Sequence, residues 1–147
     1  MSQVLAIDVG GTKVASGIVD TNGNTSHKSK IQTVVPVAET LYSRLLQMAK
    51  NTLELANGPV EAVGVGCGGP AKHSYQLVSP LNISEWRDFP LREKLEQDLQ
   101  IPTYVDNDAK ALALAEGWVG TAKHCRNFLA MVVSTGVGGG IVLNGNL

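Results

Sequence analysis

No stretch of this sequence reaches the roughly 18 consecutive apolar residues that a membrane-crossing helix requires. The opening M-S-Q-V-L-A-I-D also lacks the charged segment followed by an apolar run that marks an export signal. The expectation is a cytoplasmic protein with no membrane partner. An excess of either charge is missing too, because 12 Lys and Arg stand against 13 Asp and Glu for a net charge of −1. That balance supplies no basic field for a polyanion, which argues against nucleic acid as the main partner. Only two cysteines are present, Cys67 and Cys125, far apart and in no metal-ligand spacing. Buried or spectator thiols are expected rather than a disulfide or a zinc site. His27, His73 and His124 are scattered and suggest no ligand pair. Low-complexity segments and solenoid-length repeats are absent as well.

What is there can bury one proper core: 147 residues, 44% of them hydrophobic, imply one domain or one domain plus part of another. The organising stretch is Val4 to Val19, V-L-A-I-D-V-G-G-T-K-V-A-S-G-I-V. Two apolar runs flank Gly10 and Gly11, the pattern of two strands joined by a glycine turn. Without Cβ atoms these glycines let backbone N–H groups approach a ligand at the tip. Thr12 adds a hydroxyl, Lys13 a cation, and Asp8 a carboxylate of the kind that holds hydrated Mg²⁺. The same hexapeptide, D-V-G-G-T-K, also suits an ordinary hairpin that merely turns the chain.

Further along, Asp20 to Thr25 reads as a turn and Ser26 to Val34 as a third antiparallel strand. Pro36 suits the first turn of a helix whose Leu41, Leu45, Met48, Leu53 and Leu55 recur at near-helical spacing until Asn57-Gly58-Pro59 stops it. Val60 to Gly66 follows as a strand parallel to the first, and its alternating glycines predict close packing against it. The G-C-G-G-P of Gly66 to Pro70 ends that strand at the edge where open α/β sheets place ligands. Ala71 to Pro90 reads as a long irregular loop, a length usually tied to function. Trp86 within it could pack the loop or touch a ligand. Pro90 to Leu99 is an amphipathic helix with Leu91, Leu95 and Leu99 inward, and Pro102 to Val105 a short strand. Ala109 to Trp118 is a helix with Asp108 at or near its N-cap. Gly120 to Asn127 reads as a linker, Phe128 to Ser134 as a strand, and Thr135 to Gly140 as a second glycine turn feeding the strand Ile141 to Leu143. A terminal hairpin cannot bury its own face, so the last thirty or so residues are expected to begin a second lobe.

Two clusters carry the remaining chemistry. Asp106, Asn107 and Asp108 follow a strand and open a helix, so a carboxylate there can take a proton from a substrate hydroxyl while Asn107 holds a neighbouring one. Helix capping by Asp108 is the structural alternative, and both roles can coexist. Gly136, Gly138, Gly139 and Gly140 are more glycines than a small hairpin needs, and they predict a row of amides for an anion. The pattern is neither a Walker loop nor a Rossmann fingerprint.

In this order and at these separations, D-V-G-G-T-K, G-C-G-G-P, P-L-N-I-S-E-W, V-D-N-D-A with A-L-A-E, and S-T-G-V-G-G-G-I-V resemble the ROK family of sugar kinases and related repressors. The likeness runs over essentially the whole chain. It implies an α/β fold of the ribonuclease H-like type, shared with actin, Hsp70 and hexokinase. Three antiparallel strands would precede βαβα units in a mixed sheet over residues 1–118, and residues 119–147 would open a second lobe. It further implies that Asp8, Gly10, Gly11, Thr12 and Lys13 form a first phosphate motif, with Asp8 toward Mg²⁺ through water. Thr135, Gly136, Gly138 and Gly139 would belong to a second motif that grips the phosphates of ATP. Gly68, Gly69 and Asn82 fall where the family lines its sugar site, Asn107 where it binds sugar hydroxyls, and Asp108 where it keeps the catalytic base. Glu116 matches an acidic helix end that is expected to be structural.

The resemblance implies an ATP-dependent hexose or N-acetylhexosamine kinase, such as a glucokinase, that forms a homo-oligomer, expected as a dimer. The family's remaining sugar ligands, its cysteine-rich zinc motif and its adenine segment would lie downstream of Leu147, so the 147 residues alone are expected to be inactive. Ala71-Lys72 departs from the relatives' pattern in the sugar loop. The start directly at the first strand, without a winged-helix segment, favours the kinases over the repressors. A non-catalytic sugar sensor on the same scaffold is the alternative.

Overall fold

The structure is a computed structural model that describes residues 2–34, 38–133 and 136–147, with Ala38 and Glu39 described by their backbone alone. The expected roles of Pro36 and Thr135 lie outside these residues. By its internal contacts the chain divides into two compact units, Met1–Asp106 and Asn107–Leu147. The lobe boundary expected at 118/119 therefore falls inside the second unit.

In the first unit, β1 (Gln3–Val9), β2 (Lys13–Asp20) and β3 (Thr25–Gln32) form the expected antiparallel run. The helix α1 (Ala38–Glu54) then crosses to β4 (Val60–Cys67), which pairs parallel with β1. After α2 (Leu91–Leu99), β7 (Thr103–Asp106) pairs parallel with β4. The sheet order is β3-β2-β1-β4-β7, and the short strands β5 (Ala71–Lys72) and β6 (Leu77–Val78) form a separate small hairpin.

Period-two alternation decides which face is covered. Leu5, Ile7 and Val9 of β1, Val14 and Ile18 of β2, and Val63 and Val65 of β4 are buried, whereas Asp8 is exposed. Leu41, Leu45, Met48 and Ala49, at helical spacing on α1, are buried in the same core cluster, together with Leu91 and Leu95 of α2. Each such Leu contributes about 1.5–3 kcal/mol by leaving water. The Leu55 expected on the α1 face is 56% exposed because the helix ends one residue earlier. Ser16 would be a buried polar liability, but its hydroxyl lies 2.7 Å from that of Thr52, which donates in turn to the Met48 carbonyl.

The stretch expected to be an irregular loop is largely ordered. Val78, Ile83, Trp86 and Phe89 are buried in the core, and Trp86 stacks on Phe89 with ring centroids 4.4 Å apart and planes 5° from parallel. Packing is thus the role the structure gives to Trp86. Close packing onto the glycines of β4 is not found at Gly64, where an added Cβ would meet nothing within 4 Å among the described residues.

In the second unit, α3 (Asp108–Trp118) packs on the hairpin of β8 (Phe128–Val133) and β9 (Val137–Val142). Gly138, Gly139 and Gly140 are strand residues paired with Val132, Met131 and Ala130, not a turn. Their lack of side chains has a packing cause: an added Cβ would fall 2.9 Å from the Ala109 Cβ at Gly138 and 2.5 Å from the Ala113 Cβ at Gly140. Glycine here seats a helix directly on a strand. The segment expected as a linker is tied down, since the Glu116 carboxylate accepts from both the N–H and the hydroxyl of Thr121. Glu116 is thus engaged at its own helix end.

Candidate functional site

The carboxyl ends of the three parallel strands line up by register, with Asp8 of β1 opposite Gly66 of β4 and Gly66 opposite Asp106 of β7. Ligands of open α/β sheets collect at this edge. The glycine turn between β1 and β2 stands beside it, closed by the Gly10 N–H donating to the Lys13 carbonyl at 3.0 Å. A side chain at residue 10 would press on that carbonyl at 2.9 Å, so glycine is what keeps the tip bare.

Thr33 fixes this turn from behind. Its hydroxyl donates to the Gly10 carbonyl at 2.9 Å and its N–H to the Thr12 carbonyl at 3.0 Å, while the residue itself is buried. Both carbonyls are thereby held on the Thr33 side. The sequence carries no signal for this role, since a lone threonine 23 positions away forms no motif with the turn.

The sugar-loop candidates meet the same turn. An added Cβ at Gly11 would fall 2.5 Å from the Asn82 Cβ, so the two residues are in direct contact. Gly69 adopts a left-handed φ of +94° and approaches the Pro80 Cα and the Ser79 carbonyl so closely that a Cβ would sit 2.9 Å from each. Gly68 precedes it, just past the end of β4. Asp8, Gly10, Gly11, Thr12, Lys13, Gly68, Gly69 and Asn82 all belong to the first unit. The loop is pinned at its base by the Lys72 ammonium, 2.6 Å from the Asp88 carboxylate. The hydrogen bond from Lys72 holds the Asp88 carboxyl below the usual carboxylate range.

A Gly11→Ala substitution tests the contact. Overpacking against Asn82 is expected to cost about 1–3 kcal/mol in denaturant unfolding. Gly64→Ala, on a strand position with open space, should be neutral or stabilise by about 0.4–1 kcal/mol through the unfolded chain.

In the second unit, Asn107 rather than Asp108 is the helix cap. Its backbone is extended (φ −63°, ψ 136°) and its side-chain oxygen accepts from the N–H groups of Ala109 and Lys110 at 3.0 and 3.2 Å. Asp108 is the first helical residue, exposed, with one carboxylate oxygen accepting from the Ala109 N–H at 2.8 Å. The acid stands in the first turn of α3. Gly138 touches Ala109, the residue after it. Gly136 lies between β8 and β9, and Gly139 is within β9.

No group of three His, Cys, Asp or Glu disposed to hold a metal occurs among the described residues. A hydrated Mg²⁺ needs no such cage, because one or two carboxylates with substrate phosphates suffice. Asp8 beside a bare glycine turn fits that donor set. None of the described helices is long and apolar enough to cross a membrane.

Comparison with known proteins gives a match of the ROK family profile to residues 4–147. The chain is 36% identical over 155 residues to a glucokinase of Halalkalibacterium halodurans, covering 97% of this chain and 44% of that protein. It is also 36% identical over 144 residues to an N-acetylmannosamine kinase of Pasteurella multocida, covering 97% and 47%. Among solved structures, a ROK family glucokinase from Streptomyces griseus in complex with glucose and AMPPNP superposes with a TM-score of 0.86 at 33% identity, covering 97% of this chain and 45% of that one. The chain spans a little under half the length of these relatives.

Proposed function

This chain belongs to the ROK family, and from that premise we propose that it is the nucleotide- and sugar-binding part of an ATP-dependent kinase acting on a hexose or N-acetylhexosamine. The observation that carries the proposal is the edge where Asp8, Gly66 and Asp106 stand in register, with a bare glycine turn beside it and Asn82 resting on Gly11. A phosphate motif and a sugar loop in contact are what a phosphoryl-transfer site needs, since transfer depends on positioning and charge stabilisation. Relatives along the whole chain are sugar kinases, which supports the same assignment.

In this proposal Gly10 closes the first turn, the N–H groups of Gly11 and Thr12 with the Lys13 side chain bind phosphate oxygens, and Thr135 and Gly136 do so at the end of the second hairpin. Asp8 holds Mg²⁺ through water. ATP supplies the phosphoryl group when bound, with its charge offset by the metal. Asn82, Gly68, Gly69 and Asn107 orient the sugar, and Asp108 takes the proton of the attacking hydroxyl. We extend the proposal to a cytoplasmic homo-oligomer. That extension rests on the family resemblance alone, and sedimentation of the full-length gene product tests it.

The test is a screen of hexoses and N-acetylhexosamines for ATP consumption by the full-length gene product. Sugar-dependent ATP turnover is expected for at least one of the two classes, and silence from the 147-residue chain assayed alone. Sugar binding by the full-length product with no phosphorylation of any sugar would overturn the kinase and leave a sensor.

A further inference from the structure

We propose that Arg87 is the positioning residue of the sugar loop, using its guanidinium to hold the 80–86 segment in the shape that sets Asn82 against Gly11. The inference rests on the kinase reading for the role of Asn82, but its geometry stands alone. One guanidinium nitrogen, Nη1, lies 3.0 Å from the Pro80 carbonyl oxygen, 2.9 Å from that of Ile83 and 2.9 Å from that of Trp86. Two of these carbonyls already close successive turns: Pro80 accepts from the Ile83 N–H at 3.2 Å, and Ile83 from the Trp86 N–H at 3.0 Å.

Three carbonyl oxygens converging on one point repel one another, and a cation at that point reverses the sign of the interaction. Arg87 thus acts on the segment as a whole. The need for it follows from exposure. Leu81, Asn82, Ser84 and Glu85 all face solvent, and between Pro80 and Trp86 only Ile83 is buried, so a single apolar side chain fixes the tip. The segment is anchored at one end by the Gly69 approach to Pro80 and at the other by the buried Trp86 stacked on Phe89. Between those anchors the guanidinium bridges two successive turns, 80–83, which carries Asn82, and 83–86, which follows it. A ligand group sought by Asn82 then meets a side chain that is already in place, which lowers the ordering cost of binding.

The experiment compares wild type, Arg87→Met and Arg87→Lys in the full-length gene product, using the sugar that wild type phosphorylates best. Arg87→Met keeps the apolar stem and removes the donors, and it is expected to raise the sugar KM about 10-fold or more while kcat changes less than about threefold. Arg87→Lys, whose ammonium carries three N–H donors, should recover most of the loss. Hydrogen exchange of the Ile83 and Trp86 amides should be faster in Arg87→Met and near normal in Arg87→Lys. An unchanged sugar KM overturns the proposal, as does a parallel fall of kcat and rise of both the sugar and ATP KM, which marks general destabilisation. If wild type phosphorylates no sugar, the kinase reading fails and amide exchange alone decides whether Arg87 holds the turns. If Arg87→Met does not fold, Arg87→Gln is read by the same measures.

Discussion

Asp108→Asn is expected to lower kcat of the full-length gene product by about 10²- to 10⁴-fold, the range for removal of a positioned general base, with sugar affinity nearly unchanged. The competing role for this residue is favourable interaction with the helix dipole, worth only about 0.3–1 kcal/mol. Capping itself belongs to Asn107, whose side-chain oxygen receives two backbone N–H groups. An acid beside a cap that does not need it is an acid available for chemistry. The measurement pairs initial rates with sugar binding by calorimetry. Turnover within a factor of about ten of wild type would remove Asp108 from the reaction. Asparagine keeps the size and one acceptor oxygen, so the existing bond from the Ala109 N–H can persist, and loss of helix structure should not confuse the result.

The largest loss of stability is expected from Trp86→Ala. The indole is fully buried and stacked on Phe89 at 4.4 Å, so truncation leaves a cavity and strips a neighbour of its contact. Such changes cost about 3–5 kcal/mol, and urea denaturation should register that loss. Trp118→Ala is the control. That residue is 49% exposed, and its truncation should stay within about 1 kcal/mol. Equal losses from the two substitutions would mean that the 71–90 stretch is not part of the core. The Trp86 variant should also raise the sugar KM, since the residue ends the turn that directly follows the one carrying Asn82.

The strands and helices were legible where a period was strong. Alternation on β1 and the spacing of Leu41, Leu45 and Met48 on α1 carried the antiparallel opening and the parallel crossover. Glycine was the ambiguous letter. Gly138 and Gly140 suggested an anion-wrapping turn, yet they lie in β9 against Ala109 and Ala113; absence of a side chain serves either purpose equally in a sequence. The glycine of β4 at residue 64 misled in the opposite sense, having open space where close packing was expected. Asn107 and Asp108 are both good caps, and only backbone angles separate a cap from a first helical residue. Thr33 and Arg87 were invisible for a different reason. Each works on backbone carbonyls, and carbonyls have no sequence identity to form a motif with. The site candidates of each unit were readable from their motifs, while the groups that steady them were not.

The helix α3 is seated on bare backbone at Gly138 and Gly140. Where two elements meet through bulky side chains, their separation can adjust by choosing other rotamers. Through Gly138 and Gly140 the spacing is dictated by the covalent skeleton itself, a joint with no adjustable parts. The head of the helix, and the acid it bears, therefore keeps a distance from the strand that no change of rotamer can alter.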